Sequence, residues 1–552
     1  MPGTSRTGGQ IIVDALAINH VDRIFSIPGE SFLAVLDALH DKPQIELTTC
    51  RQEGGAAYMA EAYGKLTGRP GICLVTRGPG ATNASCGLHV AMQDSTPMIL
   101  LIGQIARKDM DREAFQEIDY RRMFGQVAKW VAQIEDAARI PEYMNRAFAT
   151  ATSGRPGPVV LALPEDMLTD ITEVPDAKPW KHVAIHPSSE DIDKTVEMLS
   201  SANRPIIMVG GGGWNQPTGT ALQEFAKESA IPIVNSFRCQ DYVDNEHPNY
   251  IGDVGIGVNP ALATRIREAD CLLVIGARLG EMTTGGFELI DIPNPQQTFI
   301  HVHAGAEELG HIYQPDLAIN STSPAFVAAL KDRRLRRRDN AEDDLSRSRK
   351  IYENWNASIH TESQLELSEI IKIVKDNTDD DAIICNGAGN NTAWLHRFYQ
   401  YRKYRSQLAP TSGTMGYGVP AAIAAKIISP EKTVVAFAGD GDFMMNGQEL
   451  ATAMQYAAKI IVIVVNNGIY GTIRMHQERE YPRRVIGTDM VNPDFCALAK
   501  AYGMESELVT ATGQFEPAFD RALKAKQAFL IELQIGPSVL TPTTTIESLR
   551  AL

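Results

Sequence analysis

Short continuous runs of apolar residues alternate along the chain with segments in which apolar residues recur at helical spacing. The runs Gly71–Thr76, Met98–Ile102, Pro205–Val209 and Cys271–Ile275 are examples. Continuous apolar runs are typical of strands that are buried on both faces of a parallel sheet. Their alternation with helical segments indicates strand–helix–strand units. The pattern therefore predicts an α/β protein built from doubly wound parallel sheets.

The alternation falls into three blocks, which we expect to be three domains. They cover residues 1–175, 190–335 and 360–552, and a proline-rich polar stretch separates the first two. The highly charged segment Lys331–Lys350 follows the second block. We expect this segment to be a solvated helix and linker, because charge runs usually face solvent.

Two polar clusters follow neighbouring strand-like runs of the third block. The run Thr433–Ala438 leads to Asp440, and the run Ile460–Val465 leads to Asn467, with glycines close to both polar residues. A helical pattern lies between the runs, so both should end at the same carboxyl edge of a parallel sheet, where α/β folds bind ligands. Carboxylate and amide oxygens suit Mg²⁺, which completes its coordination with phosphate and water. The sequence therefore predicts a site for a magnesium-bound phosphate compound.

The first block carries a second group of residues with possible catalytic roles. Glu53 stands at the start of a helical pattern, where the helix dipole favours a carboxylate. The glycine-rich segment Arg77–Asn83 follows a strand-like run. Each feature alone is also compatible with ordinary helix-start or turn chemistry.

In their order along the chain, these motifs resemble those of thiamin diphosphate enzymes of the acetohydroxyacid-synthase-like and pyruvate-decarboxylase-like family. The motifs are Glu53, the RGPGATN turn, the GTMG segment at 413–416 and the GDG…NN pair. The resemblance covers nearly the whole chain. It implies a pyrimidine-binding first domain, a central domain and a diphosphate-binding third domain. It also implies a homodimer or homotetramer with active sites at the subunit interface.

The resemblance implies a role for each matching residue. Glu53 would hydrogen-bond the pyrimidine of the cofactor and take part in general acid–base catalysis. The expected Mg²⁺ ligands are the side chains of Asp440 and Asn467 and the backbone carbonyl of Ile469. The expected cofactor contacts are Gly389, Asn390, Asn391, Gly413, Met415, Gly439, Gly441, Asp442, Asn467 and Gly471. The residues expected on the substrate side are Gly29, Phe115 and Gln116.

Two regions depart from the pattern of the synthases. Met282 stands where that family has an arginine associated with flavin and the second substrate, so FAD is possible but is not favoured. The glycines at 210–213 do not complete a dinucleotide fingerprint, and we expect a strand-to-helix turn there.

Met475 and His476 replace residues that select the larger acceptor of the synthases. His476 could act as a catalytic proton donor, since imidazole titrates near neutrality, or could be a surface residue.

The resemblance implies a carboligase that depends on thiamin diphosphate and Mg²⁺ and decarboxylates a 2-oxo acid such as pyruvate. Aldehydes are the other expected class of substrate. A non-oxidative decarboxylase and an acyloin or diketone lyase remain open, because the cofactor motifs do not decide between these reactions. The alternative outside enzymes is a silent cofactor-binding subunit, and Glu53 together with the intact metal pair argues against it.

Bulk composition excludes several classes of partner. The formal net charge of −15 argues against nucleic acid and against an anionic membrane surface. The chain has no apolar run long enough to span a membrane, and its N-terminus lacks the features of a signal peptide. The 7 cysteines are scattered and form no CxxC motif, so we expect reduced core thiols in a cytoplasmic protein.

Overall fold

The computed structural model describes residues 5–336, 338–361 and 363–551. The chain divides into two compact units. The first unit comprises Met1–Val183, Gly416–Pro430 and Met444–Ala458, and the second comprises Ala184–Met415, Glu431–Phe443 and Lys459–Leu552. The predicted domain limits at residues 1 and 552 lie outside the described residues.

The N-terminal part of the chain, which lies in the first unit, forms a parallel sheet with flanking helices. Its strands are β1 (Ser5–Thr7), β2 (Arg23–Ser26), β3 (Glu46–Thr49), β4 (Gly71–Val75), β5 (Met98–Gln104), β6 (Trp130–Gln133), β7 (Pro158–Pro164) and β8 (Ile171–Glu173). Its helices are α1 (Gly8–Ile18), α2 (Leu33–His40), α3 (Glu53–Thr67), α4 (Pro79–Asp94), α5 (Tyr120–Phe124) and α6 (Ile140–Thr152). The sheet order is β3-β2-β4-β5-β7-β6, and β1 pairs with β8 separately. Strands β4, β5 and β7 are buried along their whole length, as their apolar runs predict.

The central part of the chain, which lies in the second unit, forms a second parallel sheet. Its strands are β9 (Pro205–Val209), β10 (Ile233–Asn235), β11 (Tyr250–Asp253), β12 (Cys271–Ile275), β13 (Thr298–His303) and β14 (Leu317–Asn320). Its helices are α7 (Ser189–Ser201), α8 (Gln216–Ser229), α9 (Pro260–Arg267), α10 (Ser323–Leu330) and α11 (Ala341–Trp355). The order β11-β10-β9-β12-β13-β14 is that of dinucleotide-binding folds. The glycine run after β9 leads into α8 as predicted. It passes close to the loop after β12, since a Cβ atom at Gly211 would lie 1.9 Å from the carbonyl oxygen of Gly276.

The C-terminal part of the chain forms a third parallel sheet, in the order β16-β15-β17-β18-β20-β19. The strands are β15 (Ile383–Asn386), β16 (Gln407–Leu408), β17 (Val434–Gly439), β18 (Ile461–Asn466), β19 (Glu505–Val509), β20 (Phe529–Gln534), β21 (Val539–Thr541) and β22 (Thr544–Thr545). The helices are α12 (Leu367–Asp376), α13 (Asn391–Phe398), α14 (Gly418–Ile428), α15 (Asp440–Asn446), α16 (Leu450–Gln455), α17 (Gly471–Glu480), α18 (Phe495–Ala501), α19 (Phe515–Lys524) and α20 (Ile546–Arg550). Strands β21 and β22 pair outside this sheet.

The first and third sheets have the same topology. When the strands of each sheet are numbered along the chain, both sheets run 2-1-3-4-6-5. The direction of winding reverses between strands 1 and 3, and parallel sheets bind ligands beyond the carboxyl ends of the strands at such a point. We call the loops that follow strands 1 and 3 the switch loops of each sheet. Three doubly wound parallel sheets confirm the predicted fold class.

Some side chains differ from the sequence-based expectation. In the charged segment before and within α11, Asp344 is buried and forms an ion pair of 2.7 Å with the buried Arg265. One face of α11, with Asp344, therefore packs against α9, while Glu342, Asp343 and Arg347 are exposed as expected. Of the cysteines, which are all free thiols, Cys86 is exposed, because it lies on the outer face of α4. No helix among the described residues is both long enough and apolar enough to cross a membrane.

Candidate functional site

Asp440 and the loop that begins at Asn467 lie together at the carboxyl edge of the third sheet. They follow β17 and β18, which are adjacent and parallel. The Asp440 carboxylate accepts hydrogen bonds from the backbone N–H of Gly441 at 2.9 Å and of Gly468 at 2.8 Å. The amide oxygen of Asn467 accepts the N–H of Ile469 at 3.2 Å. Residues Asn467 to Ile469 therefore form one tight turn that is hydrogen-bonded to Asp440. All three predicted Mg²⁺ ligands lie in or beside this turn.

The carboxylate of Asp440 is buried, with 3% of the residue exposed. Burial raises the pKa of Asp440, and hydrogen bonds from Asn492 and from neighbouring backbone N–H groups oppose that rise. A divalent cation would favour the ionised form of such a carboxylate. The electrostatics of this position therefore suit a hard metal ion.

The switch loops of the third sheet form a cradle in which polar side chains closely approach glycines. A Cβ atom at Gly387 would lie 2.2 Å from Oδ1 of Asp442, and one at Gly439 would lie 3.3 Å from Oδ1 of Asn391. Nδ2 of Asn391 and Oδ1 of Asn386 are buried and have no hydrogen-bond partner among the described residues. Buried polar atoms are usually satisfied, so these atoms indicate a polar ligand. The Asn391 amide is a donor that suits a phosphate oxygen, and the glycines leave the backbone open to it.

The other predicted cofactor contacts of the third sheet border the same cradle. Asn390 accepts a hydrogen bond from the hydroxyl of Thr472 at 2.8 Å. A Cβ atom at Gly471 would lie 3.4 Å from Nδ2 of Asn467. Gly389 has a φ of +134°, a conformation that favours glycine. The structure therefore brings these residues close to Asp440 and Asn467, the predicted metal ligands.

Gly413 and Met415 lie in the loop that follows the second strand of the third sheet. Gly413 has a φ of +63° and is exposed, with open space where a Cβ atom would stand. Met415 is half-buried, so part of its side chain can be reached from outside the protein.

Glu53 is the first residue of α3, as its sequence context predicts. Its carboxylate accepts a hydrogen bond from Nδ2 of Asn83 on α4 at 2.9 Å. A Cβ atom at Gly80 would lie 3.4 Å from Oε1 of Glu53, so the start of α4 passes close to the carboxylate. Two helix starts therefore hold the carboxylate, which remains half-buried and accessible from one side.

Glu449 supports the turn before Glu53 and was not identified from the sequence. Its carboxylate accepts the backbone N–H of Arg51 at 3.0 Å and of Gln52 at 2.9 Å, and the hydroxyl of Thr452 at 2.5 Å. Glu449 is fully buried, and this burial raises the pKa of its carboxyl group. It lies almost four hundred residues from Arg51 and Gln52 in sequence, so no local pattern could have revealed its role.

The predicted substrate-side residues lie around the switch loops of the first sheet. A Cβ atom at Gly29 would lie 2.6 Å from Cβ of Thr76 at the end of β4. A Cβ atom at Gly78 would lie 2.6 Å from Cβ of Gln116. Phe115 is 72% exposed, which is unusual for a large apolar side chain. The structure therefore brings Gly29, Phe115 and Gln116 to one edge of the sheet.

Arg77 joins the loops at this edge and was not identified as a separate functional residue. Its buried guanidinium group donates to Glu165 at 3.0 Å, to Glu30 at 3.3 Å and to the carbonyl oxygen of Phe115 at 3.2 Å. Its two ion-pair partners follow β7 and β2. A buried arginine with three partners fixes the relative positions of the loops that carry them.

His476 and Met475 occupy different surroundings on α17. His476 is exposed, and its Nδ1 lies 2.7 Å from the guanidinium group of Arg479. Met475 packs against a small hydrophobic cluster that contains Ile469. Glu478, on the same helix, forms an ion pair of 2.6 Å with Arg550 of α20. His476 is therefore available to a ligand or a partner. Met475 instead connects α17 to the loop that contains Asn467 and Ile469.

Met282 and His89 are two further exposed residues. Met282 is 36% exposed and follows Arg278, which pairs with Glu308 at 3.4 Å. His89 lies on the exposed face of α4. The reason is its register, because the buried positions of α4 are those that face α3.

Comparisons with known proteins match all three sheets. The thiamine pyrophosphate enzyme N-terminal TPP binding domain matches residues 6–123, the central domain of the same family matches 192–330, and its C-terminal TPP binding domain matches 387–533. The acetolactate synthase large subunit of Lactococcus lactis is 32% identical over 90% of this chain and 87% of its own length. The isozyme 2 large subunit of acetolactate synthase from Escherichia coli is 30% identical over 96% of this chain and 95% of its own length.

A third relative extends the similarity to the archaea. The probable acetolactate synthase large subunit of Methanococcus aeolicus is 30% identical over 96% of this chain and 92% of its own length. The similarity therefore covers nearly the whole chain and nearly the whole of each relative. The chain belongs to the family of thiamine pyrophosphate (thiamin diphosphate) enzymes and is similar over its length to acetolactate synthases.

Proposed function

We propose that this protein is a carboligase dependent on thiamin diphosphate and Mg²⁺ that decarboxylates a 2-oxo acid such as pyruvate and joins the remaining acyl unit to a second carbonyl compound. The observation that carries the proposal is the cradle beside Asp440 and Asn467, with its unpartnered polar atoms on Asn391 and Asn386. The names of the relatives, acetolactate synthases, support the type of reaction.

The residues of the third sheet would hold the charged end of the cofactor. Asp440, Asn467 and the carbonyl of Ile469 would bind Mg²⁺, and the amide of Asn391 would donate to a phosphate oxygen. The glycines of the switch loops admit the diphosphate because they have no side chains there. Bound thiamin diphosphate supplies the electron sink for decarboxylation and the carbon that carries the acyl group.

Glu53 would supply the protein's acid–base group. Its accessible carboxylate would hydrogen-bond the pyrimidine of the cofactor and exchange a proton with it, while Asn83 and the turn held by Glu449 fix its position. Met415 would support the cofactor between its two ring systems. Phe115 and Gln116 would face the substrate.

A second candidate is a non-oxidative decarboxylase or an acyloin or diketone lyase. The observation that favours it is His476, an exposed imidazole at the position where the synthases select their larger acceptor. An imidazole there could return a proton to the product before a second carbonyl compound reacts. The neighbouring Met475 and the departure at Met282 also separate this chain from dedicated branched-chain synthesis.

We further propose that the active protein is a homodimer or a homotetramer, with each active site built from two copies of the chain. Exposed apolar side chains, Phe115 at 72% and Met444 and Met445 at 50% each, support burial against a second copy. The proposed domains are residues 1–175 for the pyrimidine, 190–335 as the central domain and 360–552 for the diphosphate. The free cysteines support a reducing compartment such as the cytoplasm.

The test is to incubate the purified protein with thiamin diphosphate, Mg²⁺ and a panel of 2-oxo acids, with and without added aldehydes, and to follow products by NMR. The matched control is Glu53→Gln. A hydroxy ketone or hydroxy acid formed only by the wild type supports carboligation. Aldehyde and CO₂ alone would support the decarboxylase, and cleavage of an acyloin or diketone would support the lyase. No product that depends on Glu53 would overturn the enzyme proposal.

A further inference from the structure

Asn492 lies in the loop between α17 and α18 and contacts the predicted metal ligand directly. Its Nδ2 donates to Oδ2 of Asp440 at 2.7 Å and to Oδ1 of Asn466 at 2.9 Å. A side-chain amide has two N–H donors on this nitrogen, and both are used in these contacts. Asn492 therefore connects the carboxylate of Asp440 to the end of β18.

The chain of hydrogen bonds continues into the third sheet. Nδ2 of Asn466 donates to Oε1 of Glu532 at 2.8 Å, and Glu532 lies on β20 with 6% of its surface exposed. Strands β18 and β20 are paired in parallel, so both ends of this contact are fixed by the sheet. The path from Asp440 through Asn492 and Asn466 therefore ends on a rigid strand. We call these four residues the Asp440 relay.

The relay fixes the direction of the metal-binding carboxylate. Asp440 accepts hydrogen bonds from Asn492, Gly441 and Gly468, and these donors come from three different segments of the chain. A carboxylate held in this way cannot rotate freely about its side-chain bonds. Mg²⁺ requires near-ideal octahedral geometry, so restriction of a ligand favours its binding. Partners of metal ligands commonly change metal affinity by about 10–100-fold when they are removed.

We propose that Asn492 is a positioning residue for the metal site, which holds Asp440 in the orientation that binds the divalent cation and relies on Asn466 and Glu532 for its own position. The proposal rests on the proposed function of Asp440 as a metal ligand. It assigns to the loop between α17 and α18 a role in cofactor retention.

The test uses the full-length protein and Mn²⁺ as the probe, with thiamin diphosphate in excess. Free and bound Mn²⁺ are measured by electron paramagnetic resonance, so that the readout does not depend on activity. The variants are Asn492→Ala, Asn492→Ser and Glu532→Gln. The matched control is Asn377→Ala, because the side chain of Asn377 donates to the carbonyl of Ile373 at 2.9 Å on an exposed helix end.

Asn492→Ala should bind Mn²⁺ about 10–100-fold more weakly than the wild type. Asn492→Ser retains one hydroxyl donor and should recover part of the affinity, and Glu532→Gln should weaken binding less than Asn492→Ala. The melting temperature of the cofactor-free protein should change little in these variants. The control Asn377→Ala should bind like the wild type.

Unchanged Mn²⁺ affinity in Asn492→Ala would overturn the relay while leaving the proposed function intact. A loss of affinity that follows an equal loss of stability in the cofactor-free protein would show a structural role and would also overturn it. Should Asn492→Ala fail to fold, Asn492→Ser decides the outcome, since wild-type affinity there with Glu532→Gln also unchanged would contradict the proposal. A wild-type protein that binds no Mn²⁺ with thiamin diphosphate would overturn the proposed function itself.

Discussion

The first and third sheets have the same strand order but carry different chemistry at their switch loops. In the first sheet, the buried Arg77 pairs with Glu30 and Glu165 and closes the edge with ion pairs. In the third sheet, polar atoms of Asn391 and Asn386 have no partner among the described residues. Arg77 therefore has its ion-pair partners within the protein, whereas the polar atoms at the third edge are left for a ligand in the proposed function.

This difference shows that the strand order sets the position of a binding site, whereas the side chains of the switch loops determine which ligand it can bind. Both sheets reverse their winding at the same point, and this places loops with glycine at both edges. At the first edge, the carboxylates of Glu30 and Glu165 are paired with the guanidinium group of Arg77. At the third edge, the amide donor of Asn391 and the buried carboxylate of Asp440 would contact the two parts of a magnesium diphosphate.

The largest effect should come from the first edge, where the proposed acid–base group lies. Glu53→Gln keeps the size of the side chain but cannot exchange a proton, so turnover should fall by about 10²–10⁴-fold. Thiamin diphosphate content after gel filtration should stay at the wild-type level. The control is Glu46→Gln, a change in an exposed glutamate that pairs with Arg23. Unchanged turnover in Glu53→Gln would contradict the mechanism.

The next effect should come from the third edge and should concern binding. Asp440→Ala removes the buried carboxylate, so the Mg²⁺-dependent retention of thiamin diphosphate should fall by on the order of 10²-fold. Retention is measured as cofactor content after gel filtration with and without EDTA. Asp520→Ala, a change in an exposed aspartate that pairs with Lys524, is the control. Equal retention of thiamin diphosphate in Asp440→Ala and in the control would contradict the assignment of metal binding to Asp440.

A smaller effect should follow when the support of Glu53 is loosened. Glu449→Ala removes the acceptor of the N–H groups of Arg51 and Gln52, so the turn before Glu53 should shift. Turnover should fall by roughly 10²-fold, because misplacement of a catalytic group by about 1 Å has this effect. Mn²⁺ affinity should not change. A loss of Mn²⁺ affinity equal to the loss of turnover would show that the two edges are not independent.

The ion pairs of the first edge should have a more modest influence on substrate use. Arg77→Lys cannot reach Glu30, Glu165 and Phe115 together, and loss of one charged hydrogen bond corresponds to about a tenfold change. We expect the change mainly in KM for the 2-oxo acid, since Phe115 and Gln116 line that side. Steady-state kinetics check this, and a change confined to kcat would refute the assignment.

The smallest effect should be seen at acid pH on α17, which borders the third edge. Arg550 lowers the pKa of Glu478 to about 2, below the ordinary value of about 4.3. The ion pair therefore stabilises the fold fully above the ordinary value, and this stabilisation is lost as the pH falls towards 2. The melting temperature of Glu478→Gln should lie slightly below that of the wild type at neutral pH. A difference that persists undiminished near pH 2 would contradict this account.

Much of the fold could be predicted because its strands are buried on both faces. The apolar runs at Pro205–Val209 and Cys271–Ile275 match β9 and β12 residue for residue. The position of Glu53 at a helix start was also predictable, since the helix dipole favours a carboxylate there. The common topology of the first and third sheets was not, because strand order depends on pairing between segments far apart in the chain.

The sequence by itself determined the three α/β blocks and the polar residues that end their strands, because local patterns of apolar and turn residues specify elements. It also carried the motif order that identifies the family. Only the tertiary structure decided which residues support the predicted ligands. Glu449 meets Arg51, and Asn492 meets Asp440, through contacts that no local pattern encodes. Such contacts depend on how separate loops approach one another after the sheets have formed.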